Sequence, residues 1–221
     1  MNAALEVCDV AVRRGGREVL TGVSLVAPPG LVLLTGANGS GKSTLITAIV
    51  GVVPLAHGSI AIDGHDLEHD GVAAKRALGW LPERNDVLEH LIAREWLGLV
   101  ASLRRTELEA SLALAGDVLD RAALDRPIGA LSAGQRRKLA LVVALCGEPR
   151  LLLLDEPTNA LDIAGLALLD RTITRWRDTG RTIVCALHRP ERFEHSPDVR
   201  WHVEDGRVQL DGRCAKQRPC E

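Results

Sequence analysis

The chain has 221 residues, 46% hydrophobic and 25% charged, the proportions of a packed globular protein of about one α/β domain. Its 27 basic and 29 acidic side chains leave a formal charge of −2, so the balance gives no reason to expect nucleic acid or an anionic membrane surface as partner. The longest apolar runs, such as Leu139 to Cys146 and Leu151 to Leu154, fall far short of a bilayer span, and Met1 to Glu6 lacks the basic region and apolar core of a signal peptide. Any membrane association is therefore expected to be peripheral.

In chain order, Leu5 to Val12 alternates as a strand, Arg13 to Arg17 is a glycine-containing turn, and Val19 to Ala27 is a second strand stopped by Pro28-Pro29-Gly30. Leu31 to Thr35 is a short apolar run of the buried-strand type, ending at a glycine-rich loop. Lys42 to Val50 reads as a helix with an apolar stripe of Leu45, Ile46, Ile49 and Val50. Gly58 to Gly64 reads as another strand and turn, and Ala77 to Leu81 as a strand leading into Pro82-Glu83. Between about Glu89 and Gly129 strand signals vanish, and the segments near Leu91 to Arg104, Glu107 to Ala115 and Asp117 to Ala122 look helical. A helix from Ala133 to Leu145 follows, then a buried strand Leu151 to Asp155, an amphipathic helix Gly165 to Trp176 and a strand Arg181 to Leu187. A hairpin of Val199 to Glu204 and Arg207 to Leu210 turns at Asp205-Gly206. Residues 1–212 are thus expected as a single domain with a helical subdomain at about 86–147, and residues 213–221 as a flexible tail.

The cysteines are scattered, odd in number and without metal-knuckle spacing, which fits a reducing compartment with Cys8, Cys146 and Cys185 as buried thiols. His65 and His69 are close in sequence but fall in an expected surface loop, where coincidence outweighs a metal site.

The loop Gly36-Ala37-Asn38-Gly39-Ser40-Gly41-Lys42-Ser43-Thr44 has the Walker A spacing, with a buried strand before it and a helix after it. Its glycines let backbone amides turn around β- and γ-phosphates, and the helix N-terminus adds partial positive charge. Lys42 supplies a point charge, Ser43 a hydroxyl for Mg2+, and Thr44 a donor for the α-phosphate. Leu151-Leu152-Leu153-Leu154-Asp155-Glu156 places two carboxylates at the carboxyl end of a strand, where open α/β sheets bind ligands. Asp155 can hold Mg2+, and Glu156 can polarise an attacking water as general base. At Leu131-Ser132-Ala133-Gly134-Gln135 a second helix opens, offering either a second anion site or an ordinary Ser N-cap. One nucleotide does not need two helix N-termini so far apart in sequence, whereas two copies arranged head to tail would use both.

With these motifs in order, the chain resembles the nucleotide-binding (ATPase) domain of an ATP-binding-cassette (ABC) transporter from about Leu5 to Leu210. Leu131 to Gln135 is the signature, with Ala133 where glycine is commonest; Asn159-Ala160-Leu161-Asp162 is the D-loop, and His188 stands at the switch position. The resemblance implies an α/β P-loop NTPase with a RecA-like core, an antiparallel β portion and an inserted helical subdomain. It also implies ATP and Mg2+ as ligands, Asp162 at a dimer interface, and His188 at the γ-phosphate orienting Glu156 and the water. The implied partners are a second copy or a homologous ATPase domain and separate transmembrane permease subunits, with the chain cytoplasmic and peripheral on the inner face of the cell membrane.

Two positions depart from the family pattern. Glu83, in Gly79-Trp80-Leu81-Pro82-Glu83, stands in place of the Q-loop glutamine; a carboxylate can ligate Mg2+ but cannot donate as an amide does. Arg14 stands where an aromatic side chain usually stacks on adenine, and is read either as a guanidinium plane on the purine or as a solvated turn residue. Leu-Pro-Glu followed by Leu91-Ile92-Ala93-Arg94-Glu95 resembles the exporter-like, ABC-2-type branch, and Leu-Ser-Ala-Gly-Gln also resembles the haem-export ATPase. Trp80, Val87, Leu88, Leu91 and Trp96 are candidates for an apolar contact with the permease or for the subdomain's own core. The alternative function is a non-transport ABC ATPase acting on ribosomes or nucleic-acid complexes, which usually carry a second cassette, a basic linker or coiled coils that this chain lacks.

Overall fold

The computed structural model describes residues 3–84, 89–187 and 197–211. Two sheets face each other across one of two hydrophobic cores. The first is antiparallel, in the order β2 (Arg17–Ala27), β1 (Leu5–Arg14), β4 (His57–Ile62), β5 (His65–Asp66). The second runs β10 (Arg207–Asp211), β9 (Val199–Glu204), β3 (Gly30–Thr35), β8 (Thr182–Ala186), β7 (Leu151–Asp155), β6 (Leu78–Leu81), and all its pairs are parallel except β9 with β10. The α/β architecture with an antiparallel portion is the one expected.

The parallel strands are buried on both faces, which is why they read as unbroken apolar runs. Alternation along each strand then divides its side chains between two cores. Leu31 and Leu33 of β3, Leu152 and Leu154 of β7, and Ile183 and Cys185 of β8 face one side. There they meet α6 (Ala133–Leu145) and α7 (Ile163–Asp178). Val32, Leu34, Leu151, Leu153, Val184 and Ala186 face the other, against α1 (Lys42–Ile49) and the antiparallel sheet.

Between β6 and β7 come α3 (Ala93–Arg104), α4 (Leu108–Gly116), α5 (Arg121–Leu124), a 3-10 turn at Ile128–Ala130, and α6. These helices pack on one another, and α6 also packs on β6. Gly79 makes that approach possible, since a Cβ there would collide with the Ala144 carbonyl at the end of α6. Arg104 ties the helices to the sheet. Its guanidinium donates to the carbonyls of Val143 (3.3 Å), Ala144 (3.1 Å) and Cys146 at the end of α6, and to Leu78 of β6 (2.9 Å). A cation there also complements the negative end of the helix dipole. Leu91 and Trp96 pack into the helical core and Trp80 into the other, so these three apolar side chains are used inside the chain; Val87 and Leu88 lie outside the described residues.

Most element boundaries fall within a few residues of the sequence expectation, and α6 and β7 coincide with it. The stretch read as a surface loop around His65 to His69 instead contains β5, and α2 (Gly71–Arg76) follows it. His65 and His69 pair with Asp70 (2.8 Å) and Asp66 (2.9 Å), each held by a local carboxylate. Among the described residues no group of three His, Cys, Asp or Glu is arranged to hold a metal. Cys146 and Cys185 are buried free thiols as expected; Cys8 is half-buried and disulfide-bonded, against the expectation of a thiol. No helix among the described residues is long and apolar enough to cross a membrane.

Candidate active site

Three loops leave the carboxyl ends of β3, β6 and β7 on one rim of the sheet: Gly36 to Gly41, Pro82 to Arg84, and Glu156 onward. This is where an open parallel sheet places ligands. Gly36 has φ 145°, and a Cβ on it would strike the Val203 carbonyl and Ser40 Oγ, so only glycine lets the loop close against β9. The loop delivers α1 with Gly41 as N-cap at φ 115°, a left-handed conformation that contributes no side-chain cap. The amides of the first turn are thus left without a capping oxygen, a disposition that suits an anion.

Lys42 begins α1 and is 7% exposed. Its Nζ donates to the carbonyls of Gly36 (2.7 Å) and Ala37 (3.0 Å), which folds the ammonium back inside the loop. Burial lowers its pKa, while the Glu156 and Asp155 carboxylates across the rim oppose that shift. Ser43, next in α1, is exposed, and Thr44 is buried.

Asp155 and Glu156 are only 8% and 7% exposed. Burial, together with the negative charges of Glu83 and Glu156, raises the Asp155 carboxyl to about 6, against the opposing pull of Arg137 and Lys42. Glu156 has φ 48°, unusual for a residue with a side chain, and its N–H donates to the Ala186 carbonyl at 3.0 Å. Glu83 is exposed on the same rim, close enough for its charge to act on Asp155. Two carboxylates, an exposed hydroxyl and a buried ammonium beside an uncapped helix are a donor set that fits a triphosphate with Mg2+. That ion binds through one or two carboxylates plus phosphate oxygens rather than an all-protein cage.

Arg14, at the end of β1, reaches the helix after the loop: its Nη2 donates to Thr47 Oγ1 at 3.4 Å. The signature stretch lies at the start of α6. Ser132 Oγ accepts from the Gln135 N–H (3.2 Å) and Gln135 Oε1 accepts from the Ser132 N–H (2.9 Å), a reciprocal capping box. Ser132 and Ala133 are exposed, and Gly134 and Gln135 half-buried. Asp162 is the N-cap of α7, accepting from Gly165 N–H at 2.9 Å, and its other oxygen pairs with Lys138 at 2.8 Å. His188 lies outside the described residues.

One residue of this site has no motif to announce it. Arg137, in the second turn of α6, is 4% exposed and sends its guanidinium to the backbone beneath both carboxylate loops. In sequence it is the middle of the basic run Arg136-Arg137-Lys138 that precedes the apolar part of the helix, with nothing to set it apart from its neighbours.

The ABC transporter family model matches residues 20–159, well over half of the chain. The zinc import ATP-binding protein ZnuC of Cereibacter sphaeroides is 39% identical over 81% of this chain and 70% of its own length. The lantibiotic transport ATP-binding protein SrtF of Streptococcus pyogenes is 29% identical over 94% of this chain and 90% of its own. A solved structure described as the ATP-binding subunit of an ABC transporter superposes with a TM-score of 0.87 at 28% identity, covering 95% of this chain and 90% of that one. The chain belongs to the ABC transporter family, as an ATP-binding subunit with ATPase activity.

Proposed function

We propose that this chain powers a transporter by hydrolysing Mg-ATP in a site shared between two copies, and that it drives separately encoded membrane subunits. The observation that carries the reading is the position of Lys42: a buried ammonium inside a glycine loop, at an uncapped helix start, facing Asp155 and Glu156. In this reading Gly36 to Thr44 and Lys42 hold the phosphates, with Arg14 beside the base. Ser43, Asp155 and Glu83 hold Mg2+, which neutralises phosphate charge when bound. Glu156 accepts the proton of the attacking water, and its burial keeps competing solvent away. His188 is proposed to orient that water on the strength of family resemblance alone.

The exposed start of α6 supports the head-to-tail arrangement. Ser132 Oγ uses an acceptor position in the capping box, which leaves its hydroxyl proton for a phosphate oxygen of a partner's nucleotide. Ala133, Gly134 and Gln135 would present backbone and amide donors beside it, and Asp162 would lie at the contact between copies. The helices within about 86–147 would move as a lobe under the membrane subunits, placing the chain on the inner face of the cell membrane. The names of relatives span import and lantibiotic transport and so leave direction open; the Leu81-Pro82-Glu83 segment favours export. The formal charge of −2 gives no reason to expect nucleic acid as partner.

The test is Glu156→Gln. It should leave ATP binding intact, remove turnover, and trap an ATP-dependent dimer visible by gel filtration, with the membrane partner present as a control. A variant that keeps turning over, or stays monomeric with ATP bound in both settings, would count against the base and the shared site respectively.

A further inference from the structure

A buried guanidinium is costly unless its charge is compensated and its donors are met, and an aliphatic side chain would fill the same space without that cost. Arg137 nevertheless sits inside the protein, and the bonds it makes go to main-chain carbonyls. Nη1 donates to Pro82 and to Glu83 (3.3 Å), and Nη2 to Asp155 (2.9 Å) and Glu156 (2.6 Å). These four carbonyls lie at the carboxyl ends of neighbouring strands β6 and β7, on the last residue of β7 and in the two loops that follow. Each loop carries a carboxylate of the site. The charges of Asp155, Glu83 and Glu156 surround the guanidinium and offset part of its burial.

The contact at Glu156 has a particular consequence. With φ at 48°, that residue occupies a backbone conformation costly for a side-chain-bearing residue, which persists only when its surroundings over-determine it. Here its N–H is bonded to Ala186 on β8, and its carbonyl accepts from Arg137 on α6 (2.6 Å) and, at the longer distance of 3.2 Å, from Asn159 N–H in its own loop, so the peptide units on both sides of the Glu156 Cα are held. The direction of the carboxylate follows from those anchors, of which Arg137 is the one that reaches α6.

We propose that Arg137 is a positioning residue for ATP hydrolysis, tying Glu156 and Glu83 through their carbonyls to the helix that begins at Ser132. Because α6 carries Ser132 at its tip and Arg137 one turn further in, a shift of that helix displaces Glu156. The base is aligned only while α6 is seated. This rests on the reading of Glu156 as the group that polarises water.

The experiment compares ATP hydrolysis by the 221-residue chain with Arg137→Met, Arg137→Lys and Glu156→Gln, each rate expressed per site that binds a fluorescent ATP analogue. Methionine fills the volume without donors, and lysine keeps the charge with fewer directed bonds. Arg137→Met should lower kcat on the order of 10- to 100-fold with KM within about threefold of wild type, the pattern of a lost alignment rather than lost binding. Arg137→Lys should recover part of that loss, about twofold or more over Met, while staying about threefold or more below wild type. A Met variant with kcat per site within about twofold of wild type, or a loss carried wholly by KM, overturns the proposal. Should the Met variant fail to fold, the Lys variant decides: a kcat equal to wild type overturns the role, and a fall at constant KM upholds it. Turnover surviving in Glu156→Gln would instead sink the base assignment, and with it the mechanism Arg137 is said to serve. Loss in Glu156→Gln with kcat intact in Arg137→Met rejects the positioning role alone.

Discussion

Lys138 Nζ and Asp162 Oδ2 lie 2.8 Å apart, joining the signature helix α6 to the N-terminus of α7. The same carboxylate accepts from Gly165 N–H through its other oxygen, so Asp162 is both helix cap and ion-pair partner. The stretch that the family resemblance assigns to contact between copies is thus already ordered within one chain. These bonds, the Lys138 contact foremost, hold the Asp162 carboxyl below the usual range.

Asp162→Asn should keep the cap and lose the charge, while Asp162→Ala loses both and costs about 1 kcal/mol in denaturant unfolding, the usual worth of an N-cap. A carboxyl depressed in the folded state stabilises above its unfolded pKa, and that contribution is lost as pH falls through the folded value. The stability gap between wild type and Asp162→Asn should therefore be present at neutral pH and close as the medium is acidified below the ordinary aspartate range. A gap that stays constant with pH would mean that the ion pair contributes nothing.

Asp155 has the opposite sign. Its carboxyl is raised from 3.8 to about 6, so the folded state holds the proton more tightly than the unfolded chain. The ionised form then destabilises the nucleotide-free protein, a cost absent below pH 4, growing between pH 4 and 6, and constant above. Asp155→Asn should raise the nucleotide-free stability at pH 7.5 by on the order of 2 kcal/mol and flatten that pH dependence, while losing Mg-ATP affinity. Thermal unfolding across pH, with and without Mg-ATP, reads both effects. A variant less stable than wild type at pH 7.5 would contradict the sign.

Glu83 is one of the charges that raise Asp155, and it is exposed on the rim where a metal would be held. Glu83→Gln should increase the Mg2+ concentration needed for half-maximal turnover at fixed ATP by several-fold, since an amide oxygen is a weaker ligand for a hard cation. An unchanged Mg2+ titration would place Glu83 outside the metal's reach.

Arg14 reaches Thr47 on the helix that follows the phosphate loop, which brings its guanidinium beside that helix but supplies no ring for a base. Arg14→Trp should tighten ATP binding by roughly three- to tenfold, in line with the about 1 kcal/mol that a stacked aromatic contributes. Arg14→Ala should weaken ATP and GTP alike, within about threefold, as expected where no directed base contact discriminates between them. Titration with both nucleotides checks this, and strong ATP preference in wild type would show that another residue reads the base.

How far each element could be read in advance follows from its chemistry. β3 and β7 were legible because a strand buried on both faces leaves an unbroken aliphatic run, and α6 because Ser132 and Gln135 announce its cap. Walker A spacing and the Asp155-Glu156 pair were legible for a similar reason: phosphate chemistry demands those residue types at those positions, wherever the chain goes afterwards. By contrast, β5 has two residues and α2 six, too few to display a period, and Asp70 at the start of α2 makes no side-chain cap to mark it. Arg137 and Arg104 belong to no motif that sets them apart from other helix arginines. Their burial depends on which loops and strand ends lie against their helices, and strand order is a long-range property that local pattern does not carry. What the linear order of residues decided was the inventory of groups able to meet a triphosphate. Only packing decided which of them share a rim, because β6, β7 and β3 come together from distant parts of the chain and α6 packs on one face of that sheet, bringing Arg137 to the strand ends.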